Sequence, residues 1–88
     1  MKIKGEFVMR QIVDEYILVP VNDTALQRNS IISLNPVSAL IWENLEKGAD
    51  RESILENILR EFDVDRETAA ADMEEFLGKL RENDFLEE

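Results

Sequence analysis

Residues 30–48, S-I-I-S-L-N-P-V-S-A-L-I-W-E-N-L-E-K-G, decide the fold. Ser30–Leu34 is rich in β-branched residues and reads as a strand. Asn35 follows as an N-cap, because its side-chain oxygen can accept from a free backbone N–H of the first helical turn. Pro36 then occupies the first helical position, where a missing N–H costs nothing. Val37, Ala39, Leu40, Ile41, Trp42 and Leu45 recur at helical spacing, and Gly48 stands where a left-handed C-cap residue belongs. A strand that enters a helix with no loop fixes the placement of both, so the remaining elements must pack around this corner.

Working towards the N-terminus, residues 22–29, N-D-T-A-L-Q-R-N, are polar and read as a loop with a turn at Asn22-Asp23. Residues 6–13 and 15–21 are short and β-rich, and Asp14-Glu15 between them predicts the reversal of a β-hairpin. Pro20 cannot donate to a ladder and marks an edge or a strand end. Towards the C-terminus the pattern turns helical. Asp50 caps a helix with an apolar stripe at Ile54, Leu55, Ile58, Leu59 and Phe62. Asp63-Val64-Asp65 breaks it, with Val64 plugging the corner. Asp65 caps a longer helix with its stripe at Ala69, Met73, Phe76, Leu77 and Leu80. Gly78 lies off that stripe, Asn83-Asp84 ends the helix, and Phe85-Leu86 folds back as an apolar plug.

The order is three strands, then three helices. Two amphipathic helices joined by a short corner resemble a helix-turn-helix pair. With a small antiparallel sheet beside them, the expected architecture is a winged-helix-like α+β domain filling residues 1–88. Ser30–Leu34, next to the helices, is expected to form one sheet edge.

Composition removes most chemistry. The chain has no His and no Cys, which excludes Ser-His-Asp and Cys-His catalysis and imidazole- or thiolate-based zinc sites. Three glycines, Gly5, Gly48 and Gly78, make neither a P-loop nor a dinucleotide fingerprint. Asp63, Asp65, Glu67 and Glu74 fall at positions 1, 3, 5 and 12 of a calcium-loop template. Thr68, however, replaces the glycine that the sharp turn needs, and Ala69-Ala70-Ala71 continues a helix. The acidic residues therefore read as a helix N-terminus, with no metal site, no cofactor and no catalytic residue expected. There is no apolar run near 18 residues and no signal-peptide core, so a cytoplasmic protein without membrane attachment is expected.

The net charge of −10 is uneven. Residues 1–34 carry four basic and four acidic side chains; residues 35–88 carry six basic and sixteen acidic. A winged-helix frame suggests DNA binding through the last helix. Its outward Glu67, Asp72, Glu74, Glu75 and Glu82 oppose only Arg66, Lys79 and Arg81, and phosphate repels such a surface. No nucleic-acid partner is expected.

The ordered set of segments resembles the PqqD family, the small peptide-recognition proteins (RiPP recognition elements) of ribosomal peptide modification. The resemblance rests on G-E-F-V-M-R, D-E-Y-I-L-V-P, I-I-S-L-N-P-V-S-A-L-I-W-E-N-L-E-K-G, D-R-E-S-I-L-E-N-I-L-R-E-F-D-V and D-M-E-E-F-L-G-K-L-R-E-N-D-F-L-E. It implies a non-catalytic module that binds the leader of a precursor peptide and presents it to a radical-SAM or other modifying enzyme. The leader would add as an antiparallel strand on the third strand and pack against the third helix, the mode called β-augmentation. Carried onto this chain, the implied peptide-binding residues are Ser30, Ile31, Ile32, Ser33 and Leu34 of the strand. The helix would add Asp72, Met73, Phe76, Lys79 and Leu80, with Leu77 and Arg81 as further candidates. Period 2 favours Ile32 and Leu34 towards the core and Ile31 outward, and a slip by one residue reverses this. Members of the family serve in cofactor biosynthesis and in other peptide pathways. The alternative is an interaction domain that homodimerises through its free sheet edge.

Overall fold

The computed structural model describes residues 1–27 and 30–87. Arg28 and Asn29, at the end of the expected loop, and Glu88 lie outside the described residues. The elements are β1 (Lys2–Ile3), β2 (Phe7–Ile12), β3 (Glu15–Pro20), α1 (Asp23–Gln27), β4 (Ile32–Leu34), α2 (Pro36–Glu46), α3 (Arg51–Glu61), α4 (Arg66–Glu82) and β5 (Leu86–Glu87). The expected α+β architecture is present, with a three-stranded antiparallel sheet in the order β2-β3-β4. Four helices are found where three were expected. Part of the supposed loop forms α1, held because the buried Thr24 hydroxyl accepts a 2.8 Å hydrogen bond from the Glu6 N–H. Such an anchor leaves no trace in local hydrophobic pattern.

The strand-to-helix corner is built as its residues dictate. The Asn35 side chain accepts from the Ser38 N–H at 2.8 Å, and Pro36 opens α2. Gly48 has φ +80°, and Ala49 returns its N–H to the Asn44 carbonyl at 3.0 Å, closing the helix end. The faces that carry the stripes are buried: Ile41 and Trp42 on α2, Ile54 and Ile58 on α3, and Ala69, Met73, Phe76, Leu77 and Leu80 on α4. Asn44 is a buried polar exception. It donates to the Leu40 carbonyl and accepts from Asn57, tying α2 to α3. Phe85 is fully buried, and β5 pairs with β1, closing the two chain ends on each other.

The hairpin turns one residue earlier than expected. Ile12 pairs with Glu15, so Val13 and Asp14 form the loop, and Val13 takes φ +57°. A β-branched residue at positive φ is rare, which is why the composition pointed to Asp14-Glu15 instead. This two-residue loop sets the parity of the whole sheet. Residues facing each other across a tight two-residue loop exchange hydrogen bonds, and alternate pairs do not. In β3, Glu15, Ile17 and Val19 therefore bond to β2, which the Val21 N–H to Glu6 carbonyl bond of 3.0 Å continues. Tyr16 and Leu18 turn their backbone groups to β4 and meet Leu34 and Ile32. The next partner in that row would be Pro20, which has no N–H, and the β3–β4 ladder ends before it.

Asp50 and Asp65 cap α3 and α4 as their positions predict. Each carboxylate accepts a backbone N–H, from Ser53 at 2.9 Å and Thr68 at 2.7 Å respectively. These backbone hydrogen bonds hold both carboxyls below the usual aspartate range. A lowered pKa favours the folded state above the unfolded-state pKa, and that contribution disappears as pH falls through the lowered value. The variant Asp50→Asn/Asp65→Asn keeps an acceptor at each cap but cannot titrate there. Its melting temperature is expected to fall less steeply than that of the wild type as pH drops below the aspartate range, measured by circular dichroism.

Candidate functional site

β4 is an edge strand, and parity decides what it offers. Ile32 and Leu34 spend their backbone groups on β3. The N–H and C=O of Ser33 point away from the sheet, and those of Ile31, one residue before the strand, would continue the same outward row. Side chains follow the favoured register: Ile32 and Leu34 are each 3% exposed, whereas Ile31 is 61% exposed. The strand-to-helix corner at Asn35-Pro36 thus presents an unpaired ladder edge held rigid by the cap of α2.

Beside this edge runs a groove of about 700 Å³. One wall comes from β4 and the start of α2, through Ser33, Asn35, Val37 and Ser38. The other is the outer flank of α4, with Asp72, Glu75, Phe76, Lys79 and Glu82 at helical spacing, and with Glu74 and Gly78 alongside. Phe76 is 5% exposed and supplies an apolar patch to that wall.

Of the residues singled out from sequence, the structure brings Ser33, Asp72, Phe76 and Lys79 to the groove. Ser30 and Ile31 are exposed at the entry to β4. Four others face inward. Ile32, Leu34, Met73 and Leu80 are buried core residues, so their side chains support the walls and present nothing to the groove. The reason is geometric: on an edge strand only alternate residues face out, and on α4 the apolar stripe turns Met73 and Leu80 to the core. Leu77 is buried with them. Asn35, Val37, Ser38, Glu74, Glu75, Gly78 and Glu82 were missed as groove residues. They are cap or surface positions, and only the tertiary placement of α4 against β4 gives them a shared space. Trp42 is 1% exposed and belongs to the core, and its Nε1–H has no hydrogen-bond partner among the described residues.

The acidic template positions have other duties. Asp65 is the α4 cap, and Glu74 accepts from Arg51 of α3 at 2.8 Å. Gly78 is a helix-interior glycine that lines the groove. A Cβ there would come no closer than 3.6 Å to another heavy atom, the Arg81 guanidinium. Gly78→Ala is therefore expected to stabilise the protein by about 0.5–1 kcal/mol in urea denaturation.

An edge strand facing a helix across a groove, on a three-stranded sheet with a helix-turn-helix-like pair, defines a winged-helix-like α+β protein with an open ladder edge. Residues 15–86 match the family model described as Coenzyme PQQ synthesis protein D (PqqD), and the chain belongs to the PqqD family. Two solved structures share the fold. The complex of TbiB1 with the TbiA(beta) leader peptide is 33% identical over 99% of this chain and 95% of that one, with a TM-score of 0.76. Lasso peptide synthetase B1 complexed with the leader peptide is 22% identical over 93% of this chain and 91% of that one, with a TM-score of 0.70, a likeness of fold. Comparison with curated proteins gives no significant match. None of the described helices is long and apolar enough to cross a membrane.

Proposed function

We propose that the chain is a non-catalytic recognition module that captures the leader of a ribosomally made precursor peptide by strand addition to β4. It then presents the peptide to a modifying enzyme of radical-SAM or other type. The observation that carries this reading is the unpaired edge of Ser33 and Ile31 lying against the α4 groove. Backbone hydrogen bonds to those residues would supply affinity, and side chains reaching the groove would supply selection. Membership of the PqqD family, and the leader peptide bound to TbiB1, point the same way. Among the candidates, Ile31 and Ser33 would act through backbone, and Asp72, Phe76 and Lys79 through side chains.

Isothermal titration with the leader of a precursor peptide encoded beside the gene tests the proposal. One-to-one binding is expected, and Gly78→Leu, which fills the groove, is expected to weaken it. No heat of binding in a folded protein would overturn it. Self-pairing of β4 edges into a homodimer is the second reading, favoured by the same unpaired edge. Light scattering over a concentration series separates the two, because a monomer at all concentrations leaves the edge free for a peptide.

A further inference from the structure

The charge of the groove bears on what kind of leader fits it. Acidic side chains of α4 fall into two groups. Glu74 is paired with Arg51, and on α3 Glu52 is paired with Arg66 at 2.7 Å. Asp72, Glu75 and Glu82, which face the groove, have no hydrogen bond or ion pair among the described residues. The opposite wall of Ser33, Asn35, Val37 and Ser38 brings no cation to them. Among the described residues Lys79 is the single basic side chain on the lining, and the Arg81 guanidinium lies close to Gly78, so three carboxylates without an ion pair face one ammonium group with a guanidinium beside it.

Their spacing is informative. At 1.5 Å per residue, Lys79 lies about 8 Å and Glu82 about 13 Å along the helix from the midpoint of Asp72 and Glu75. On a strand lying along α4, side chains of one face recur about every 6.8 Å, so i, i+2 and i+4 fall at 0, about 7 and about 14 Å. On a strand aligned with α4 the two ladders would run nearly in step. We infer that the groove selects a cationic leader segment, with Lys or Arg at strand positions i and i+4 facing Asp72/Glu75 and Glu82, and a non-basic residue at i+2 facing Lys79. This rests on the strand-addition reading and gives it a substrate class.

A displayed library of randomised 16-residue peptides, selected on the full chain at low salt, tests it. The enriched pool is expected to carry Lys or Arg four residues apart with a non-basic residue midway. Affinity of the best peptide, followed by fluorescence anisotropy, is expected to fall about tenfold in the triple variant D72N/E75Q/E82Q, because each exposed pair contributes a factor of a few. Most of its salt dependence is expected to vanish as well, with no change in melting temperature. Enrichment without that basic pattern, or unchanged affinity in the triple variant, would overturn the charge inference and leave strand addition standing. No enrichment of any peptide would overturn both.

Discussion

Ser33→Pro is expected to leave the protein folded and to weaken leader binding by roughly 10- to 100-fold. Proline removes one N–H and fixes φ near −65°. At most strand positions this is destructive, but the Ser33 N–H points away from β3, and the side chain is exposed. Edge strands accept proline where the N–H faces solvent. An added peptide would then find one donor missing and its own carbonyl left unpaired, which costs about 1–3 kcal/mol. Ile31→Pro acts on the same row of outward groups and is expected to behave alike. Ser33→Val keeps the N–H and is expected to bind within about threefold of the wild type. Ile32→Pro breaks the ladder to Leu18 in the core and is expected to unfold the domain. Titration calorimetry and circular dichroism on these four variants read binding and folding separately. Unaltered affinity in folded Ser33→Pro would remove the strand-addition mechanism.

Phe85→Ala is expected to cost about 3–5 kcal/mol, a large part of the stability of a chain this small. Phe85 is fully buried although it stands three residues from the end. Its ring centroid lies 4.2 Å from that of Phe7, and Phe7 meets Trp42 edge-on at 5.5 Å. Its backbone is clamped as well. The N–H donates to the Leu80 carbonyl at 2.8 Å, and its carbonyl accepts from the Lys4 N–H at 2.9 Å. Truncating the ring therefore opens a cavity where α2, β2 and both chain ends meet. Leu26→Ala, at a side chain 85% exposed on α1, is the matched control and is expected to change little. Urea denaturation followed by tryptophan fluorescence reads both. A loss below about 1 kcal/mol for Phe85→Ala would mean that the C-terminal segment is not part of the folding unit.

How much of this was legible before the structure depends on how local the signal is. Asn35, Asp50 and Asp65 announce three helices because a cap is a contact over three residues, and all three make it. The inward stripes of α2, α3 and α4 and the plug at Phe85 are equally readable, since periodicity and burial coincide there. Helix α1 was not legible, because it is polar and pinned by a long-range bond to Glu6. The pairing of β1 with β5 was not either, since two-residue strands at opposite chain ends carry no pattern. At the site, the edge strand and the helix that faces it could be named from the resemblance. Which of their side chains share the groove depends on parity set by Val13-Asp14 and on how α4 is laid against β4. That is why Met73 and Leu80 stood among the candidates while Glu75 and Glu82 did not.

In the proposed complex a leader peptide takes the free ladder positions of β4. Amide hydrogen exchange, resolved by NMR with and without a saturating leader from the neighbouring precursor, tests it at the atoms concerned. In the free protein the outward N–H groups of Ser33 and Ile31 should exchange quickly, while those of Ile32 and Leu34 are protected by β3. With leader bound, strong protection should appear at Ser33 and Ile31 and hardly change at Ile32 and Leu34. Binding that leaves Ser33 and Ile31 exchanging as fast as before would rule out strand addition at β4.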